Sequence, residues 1–323
     1  MHIPDGFIHV ATAAGAAVVA VGGLGASLRR TGRDLAERQI PFAGLTAAFI
    51  FAVQMLNFPV GAGTSGHVLG GALAAILLGP WLGALAVTVV VFVQALMFAD
   101  GGVVALGLNV LNMALISSFV GWGVFRALMK VFPKGAPTVM VASMVAAAVS
   151  VLASSMGFVL EYAIGGEGGA PLQAVFQAMV GVHSLIGIGE GIITALAVGA
   201  VLAVRPDLVK GVSDLRLQGI ATTPSTRSII AFVGGGLVIA LALVFLVAPF
   251  ASGDPDGLER VAIDTGFITS AEDDQGGGPL AGYAVKGIES ERTGTILSGA
   301  IGVGATFAVG LIVATLRRRR RSA

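Results

Sequence analysis

Met1-His2 opens the chain, and a histidine directly behind a free N-terminus is a chelator in its own right. The amine, the residue-2 backbone amide nitrogen and the residue-2 imidazole can hold one ion in fused rings. Such a nitrogen set suits tetragonal or square-planar Ni(II) or Cu(II), with Co(II) a further candidate. His67 ends the segment Asn57-Phe-Pro-Val-Gly-Ala-Gly-Thr-Ser-Gly-His67 and would complete four nitrogens. The glycines of that segment permit tight turns and close backbone approach. The chain has no cysteine, which excludes disulfides, zinc–thiolate sites and iron–sulfur clusters and leaves the four histidines as the strongest side-chain ligands. Asp5, Asn57, Thr64 and Ser65 are short polar residues beside these ligands. Asp5 and Asn57 could fix the His2 ring or hold the N-terminal arm, as metal sites require of their surroundings; helix capping is an equally good reading of both. His9 is not expected to bind. Spacing alone also leaves His67 open as a hydrogen-bonding loop residue, and the glycines as tight connections.

The elements that must position these groups lie in lipid. Of 323 residues, 55% are apolar and only 11% charged, against roughly 25% charged in a soluble domain. The first residues lack the basic region of a signal peptide, so Met1 is expected to stay on the mature protein. A spanning helix needs about 20 apolar residues. Candidate spans run over 8–28, 40–56, 81–98, 103–125, 136–163, 172–204, 228–250 and 294–316. A short apolar piece from His67 to Leu78, interrupted by Gly79-Pro80, is the ninth. The expected fold is an all-α polytopic membrane protein, with a seven-helix bundle over 1–205, a cytoplasmic linker over 206–227, and two further helices over 228–323 that flank an outer loop at 251–292.

Charge sets the expected orientation. With the N-terminus outside, the inner loops carry Arg29, Arg30, Arg33 and Arg38; Arg126, Lys130 and Lys134; Arg205, Lys210, Arg216 and Arg227; and the five terminal arginines, which is 16 of the 19 basic residues. This satisfies the positive-inside rule. It requires the short 67–79 piece to cross, so a short or partly re-entrant third helix is expected. Met1, His2 and the 57–67 loop then share the outer side, and an unusually short, Gly/Pro-interrupted helix beside them is itself a pointer to a transport site.

Four segments carry a resemblance: MHIPDGF at 1–7, NFPVGAGTSGHVLGG at 57–71, VQALMFADGGVVALGLNVLNM at 93–113 and GIGEGIIT at 187–194. They resemble the substrate-binding membrane component of the cobalt/nickel energy-coupling factor transporters, over about residues 1–205. Pro255-Asp-Gly-Leu-Glu259, followed by Asp264-Thr-Gly-Phe267, resembles the small N component of those systems, fused here at the C-terminus. The resemblance implies that the Met1 amine, the His2 amide and imidazole, and the His67 imidazole ligate the metal. One departure is Gly61-Ala62, where the family usually has Pro-Gly. The resemblance also implies the partners: a transmembrane coupling protein and cytoplasmic ABC-type ATPases, with membrane lipid around them and no nucleic acid. The place is the bacterial cytoplasmic membrane, with the C-terminus inside. The cargo that the resemblance implies is Ni(II) or Co(II). The nitrogen-only set and the Pro-Asp-Gly-Leu-Glu tail lean to nickel.

His183 and Glu190 stand seven residues apart on one face of the seventh span. Intramembrane ionisable groups default to a functional hypothesis. A proton or ion relay, a structural hydrogen bond and a partner contact all fit, with the structural role favoured. Gln54, Gln94, Asn109 and Asn112 are expected to bond between helices, beneath the site. No G-x-x-x-x-G-K-[S/T] loop is present, nor an H-E-x-x-H motif or a nucleophile–base pair, so ATP hydrolysis is expected in partner subunits and not in this chain. An ion-coupled secondary transporter, and a metal sensor or structural subunit without flux, remain the rival classes. Adding one residue before Met1 should abolish tight Ni(II) binding by the purified protein in calorimetry, because the amine leaves the fused ring; His67→Ala should do the same. Unchanged affinity in the extended chain would rule out the chelate.

Overall fold

The computed structural model describes residues 1–34, 39–61, 63–213, 226–272 and 278–319. Arg38, Ala62, Arg216 and the last two arginines lie outside the described residues. An N-terminal arm leads into α1 (Val10–Asp34) and α2 (Gln39–Gln54). A short antiparallel hairpin follows, β1 (Phe58–Gly61) with β2 (Thr64–Gly66), pairing Phe58 with Gly66 and Pro59 with Ser65. Then come α3 (Gly71–Leu78), α4 (Pro80–Phe98), α5 (Leu106–Val131), α6 (Ala136–Gly165) and α7 (Leu172–Val204). The C-terminal part holds α8 (Thr226–Leu246), a short amphipathic helix α9 (Gly257–Thr265) and α10 (Glu291–Arg319).

Seven of these helices are long and apolar enough to cross a membrane. Val18, Val21, Ile164, Leu196 and Leu246 stand exposed on them, a distribution that only a lipid surround makes favourable. The two remaining expected spans are short. Helix α2 has 16 residues and is buried along almost its whole length, with α8 and α10 packed against it. Small residues allow that approach: a Cβ on Gly302 would overlap the Phe51 ring, and one on Gly44 would meet the Phe307 carbonyl at 2.9 Å.

Helix α3 has only 8 residues, about 12 Å of rise, against 19 residues in α4, about 28 Å. Most of the difference can be spanned by His67–Gly70, four non-helical residues that can reach about 13 Å. The 67–78 segment is therefore half helix and half irregular chain by length. Irregular backbone is tolerated at membrane depth only where protein satisfies its polar groups, and here protein meets those of Leu69 and Gly70 and the Val68 carbonyl. The Glu190 carboxylate of α7 accepts from Leu69 N at 2.8 Å and from Gly70 N at 2.9 Å. The Gln54 amide donates to the Leu69 carbonyl at 2.8 Å. The His67 Nδ1–H faces the Val68 carbonyl at 3.1 Å, and Ala74 N reaches the Gly70 carbonyl at 2.9 Å. Gly70 takes a left-handed φ of 80° as it starts α3.

Glu190 thus acts on the main chain of the broken crossing, while His183 bonds its own helix through the Met179 carbonyl; the two side chains do not pair. Glu190→Ala should leave two buried N–H groups unmet, each worth about 1–3 kcal/mol. The variant should melt several degrees lower than the parent in detergent; an unchanged melting temperature would count against the bracing role.

Candidate metal centre

The N-terminal arm lies on the same end of the bundle as the hairpin and the C-terminal end of α4. Its anchor is Ile3, wholly buried. Ile3 N donates to Asn109 Oδ1 at 2.7 Å, and Asn109 Nδ2 donates back to the Ile3 carbonyl at 3.0 Å. Gly102 N reaches the same carbonyl at 2.9 Å. A side chain at Gly102 would collide with Asp5, so the close approach needs glycine there. Asn109 precedes a π-helical stretch in α5, Val110–Ile116, and Gln94 begins another at the end of α4, Gln94–Phe98. Widened turns of this kind recur at functional sites.

With the arm fixed, the Met1 amine lies 2.5 Å from His67 Nε2. His67 presents that nitrogen because its Nδ1 is committed to the Val68 carbonyl. The His2 ring stacks on the His67 ring, centroids 5.0 Å apart and planes at 20°. Its Nδ1 faces Asp100 at 3.0 Å and its Nε2 faces Gln94 Oε1 at 3.1 Å. Asp100 is aimed there by Ala99, a non-glycine residue at a φ of 52°, a conformation that clusters at functional sites. Burial pushes the His2 imidazole down to about 4, against the raising effect of the Asp100 carboxylate. Burial thus favours the neutral ring that a ligand must be.

The C-terminal part closes the site from the other side. Asp256 is the N-cap of α9, its Oδ1 accepting from Leu258 N and Glu259 N at 2.8 Å each. Its second oxygen meets the Met1 amine at 2.8 Å and lies 3.6 Å from His67 Nε2. Burial alone would raise this carboxyl; the amine, the His67 imidazole and the capped backbone N–H groups outweigh it and hold Asp256 well below the usual carboxylate range. Ser65 locates the segment, with its Oγ donating to the Asp254 carbonyl at 2.8 Å and its N to the Pro255 carbonyl at 2.9 Å. Tyr283 donates to Asp100 at 2.6 Å, and burial, reinforced by that carboxylate, pushes its hydroxyl well above the ordinary value.

A cavity of about 810 Å³ opens onto His2 and His67. Its lining carries Asp100, Asp254, Asp256, Glu259 and Glu291 against one guanidinium, Arg292. A cleft of one sign concentrates ions of the other. Among the described residues, no three His, Cys, Asp or Glu side chains are gathered to hold an ion. A metal centre here therefore depends on main-chain nitrogen.

The structure brings Met1, His2 and His67 together. It does not place Asp5 on the His2 ring. Asp5 instead accepts from Val104 N and Ala105 N at 3.2 and 2.8 Å and ties the arm to the start of α5. Asn57 meets the C-terminal segment through its carbonyl, which accepts from Ser252 N at 2.8 Å. Thr64 is buried in β2, and Ser65 faces the C-terminal loop rather than the ligands. His9 is exposed and accepts from Ala11 N at the start of α1. Asp100, Asp256 and Tyr283 escaped notice as site residues. For Asp256 a signal existed: Asp256 and Glu259 have capping-box spacing ahead of the apolar Leu258, Val261 and Ala262.

This geometry can be set beside known proteins. Residues 2–208 match the family model CbiM, described as the cobalt uptake substrate-specific transmembrane region. The chain belongs to the CbiM family. Residues 230–319 match a second model, the PDGLE domain. A putative fused nickel transport protein NikMN of Archaeoglobus fulgidus is 35% identical over 98% of this chain and 99% of its own length. The fused nickel transport protein NikMN of Rhodobacter capsulatus is 28% identical over 94% of each. The cobalt transport protein CbiM of Geobacter sulfurreducens is 32% identical over 79% of this chain and 72% of its own length. A crystal structure of a transition metal transporter superposes with a TM-score of 0.56 at 30% identity, covering 68% of this chain and all of that one. The chain is a multi-pass membrane component of a metal transport system, its CbiM region fused to a PDGLE domain.

The depressed His2 imidazole sets a pH dependence. Above about 6.5, its ordinary value, the ring is neutral whether the arm is docked or free, and docking is at full strength. As pH falls from there toward about 4, the free arm takes up a proton that the docked arm refuses, and docking weakens. Hydrogen exchange at Ile3 and Gly102, corrected for intrinsic rate, should therefore quicken across that window; His2→Phe should remove the change.

Proposed function

We propose that this chain captures Ni(II), with Co(II) as the second choice, from outside the bacterial cytoplasmic membrane as the substrate-binding subunit of an energy-coupling-factor importer. The observation that carries the reading is the Met1 amine against His67 Nε2 at 2.5 Å. An arriving ion takes the lone pair of His67 Nε2 and, once the amine has shed its proton, that of Met1. The residue-2 amide nitrogen, once its N–H has given its proton to water, and the His2 Nδ1 close the fused rings. That Nδ1 faces Asp100 at 3.0 Å, so the ring must turn to chelate. Asp256, relieved of the amine, remains as a counter-charge to the dication.

The orientation rests on which residues share an end. Gln94 at the end of α4 meets His2, while Trp81 at its start lies under Arg30. A side chain at Gly79, just before α4, would touch Lys210. Basic residues thus gather at the end away from the site, which supports an outer N-terminus. Nickel is favoured by the nitrogen-only set, and the two fused relatives cited above are named for nickel. Energy is supplied by a transmembrane coupling protein and cytoplasmic ATPases, since the chain carries no phosphate-binding loop of its own.

Proteoliposomes holding this chain with its coupling protein and ATPases should accumulate radioactive nickel only while ATP is hydrolysed. Uptake by the chain alone, collapsed by an uncoupler, would make it a secondary transporter. Binding without uptake, partners supplied, would make it a sensor.

A further inference from the structure

At the end of the bundle away from the metal centre, a second cavity of about 310 Å³ lies between the close of α1 and the start of α4. Arg30 and Lys210 line it, and no carboxylate stands among the described residues that do. The first residues of α4 line it as well, and the N-cap before them, Gly79, makes no side-chain bond. A helix start presents backbone N–H groups and a partial positive charge, which suits an anion.

Thr31 gives independent evidence. It is 8% exposed and lines the cavity, yet its Oγ1 has no hydrogen-bond partner. Thr46, Thr88 and Thr306 each donate to the carbonyl four residues back in their helices. Thr31 makes no such bond, and buried hydroxyls are seldom left so. A helical threonine has two accessible χ1 wells, so the hydroxyl can swing to a ligand at the cavity wall.

The depth of the cavity names the source of that ligand. Thr31 closes the membrane span Val10–Thr31, and Pro80 opens the span Pro80–Phe98, so the cavity sits at the level of lipid headgroups. Both tryptophans of the chain, Trp81 and Trp122, line it, and tryptophan gathers at the membrane interface. Each already carries a guanidinium over its ring, Arg30 at 5.8 Å and Arg126 at 5.6 Å. The rings are thus engaged by cations of the protein and do not form a cage for a choline ammonium.

We propose that this cavity seats the phosphate of an anionic phospholipid. Arg30 and Lys210 hold its charge, while the start of α4 and the Thr31 hydroxyl donate to its oxygens. A headgroup with an ammonium of its own would set a third cation beside Arg30 and Lys210, so a phosphatidylglycerol-type lipid is taken over phosphatidylcholine. Leu78, the last residue of α3, also lines the cavity, so a seated lipid ties the ends of α1, α3 and α4 together. The site is independent of which ion the chain carries.

The test places the full chain in phosphatidylcholine nanodiscs holding a minor fraction of phosphatidylglycerol, with brominated acyl chains on one lipid or the other at equal mole fraction. Bromine quenches only nearby tryptophan, and both tryptophans line the cavity. Brominated phosphatidylglycerol should quench at on the order of tenfold lower mole fraction than brominated phosphatidylcholine, since each nearby cation contributes severalfold. Thr31→Val keeps shape and charge and removes the hydroxyl; it should lose about threefold or more of that preference. Arg30→Gln should lose about fivefold, and Lys210→Gln reads the same loss if the Arg30 variant does not fold. Inorganic phosphate in excess should leave the quenching unchanged. Equal quenching by the two lipids overturns the proposal. Undiminished preference in Thr31→Val would make this end a diffuse basic surface, and relief of quenching by inorganic phosphate would make the cavity a site for a soluble anion. Either result overturns the lipid site.

Discussion

A main chain that abandons helical geometry inside a membrane protein must find partners for its polar groups, and Leu69 and Gly70 are where this protein meets that demand. Leu69 is buried, so a stray N–H there would go without water. Glu190 from α7 and Gln54 from α2 supply the missing donors and acceptors from two directions. Their bonds fix Leu69 and Gly70, and so fix His67 two and three residues earlier. Once His67 is fixed, its Nδ1 is committed to the Val68 carbonyl and only Nε2 remains to face outward. The identity of the nitrogen offered to the Met1 amine is thus decided by bonds made deeper in the bundle.

The rest of the site converges on that nitrogen from parts of the chain remote in sequence. The arm is held by Asn109 and Gly102, the His2 ring by Asp100 and Gln94, and the amine by Asp256. Each contact is short-ranged and weak by itself, yet together they desolvate two imidazoles and an amine. Desolvation keeps His2 neutral and makes every remaining charge interaction count for more. The carboxylates that line the cavity supply the opposite charge where a cation would arrive.

Much of this was legible in the sequence, for physical reasons that differ between parts. Long apolar runs marked the spans because lipid demands them, and Gly79-Pro80 betrayed the short third helix because proline starts α4 at its first position. The arm and the loop histidine were legible as motifs and as chemistry. Their second partners were not. Asp5 sits closer to His2 in sequence than Asp100 does, but the positive φ at Ala99 turns Asp100 inward, a backbone choice no side-chain pattern announces. Asp256 reaches the amine across 255 residues, brought there by packing of α8 and α10 on α2, by packing of α9 on α7 and by the Ser65 bonds. Tyr283 carried no local signal at all. The acidic, glycine-rich composition of 251–292 concealed α9, although its cap and apolar stripe were both written in residues 256–262.

The tether between the two halves has a further consequence. Asp256 and its helix belong to the same polypeptide as the amine they touch, held close by α8 and α10 on either flank. Departure of that short helix from the site is therefore not dissociation. A tethered group returns from an effective concentration in the millimolar range or above, so even a contact of a few hydrogen bonds stays mostly closed and recloses rapidly. Because both groups belong to one chain, the contact between Asp256 and the amine does not weaken as the protein is diluted.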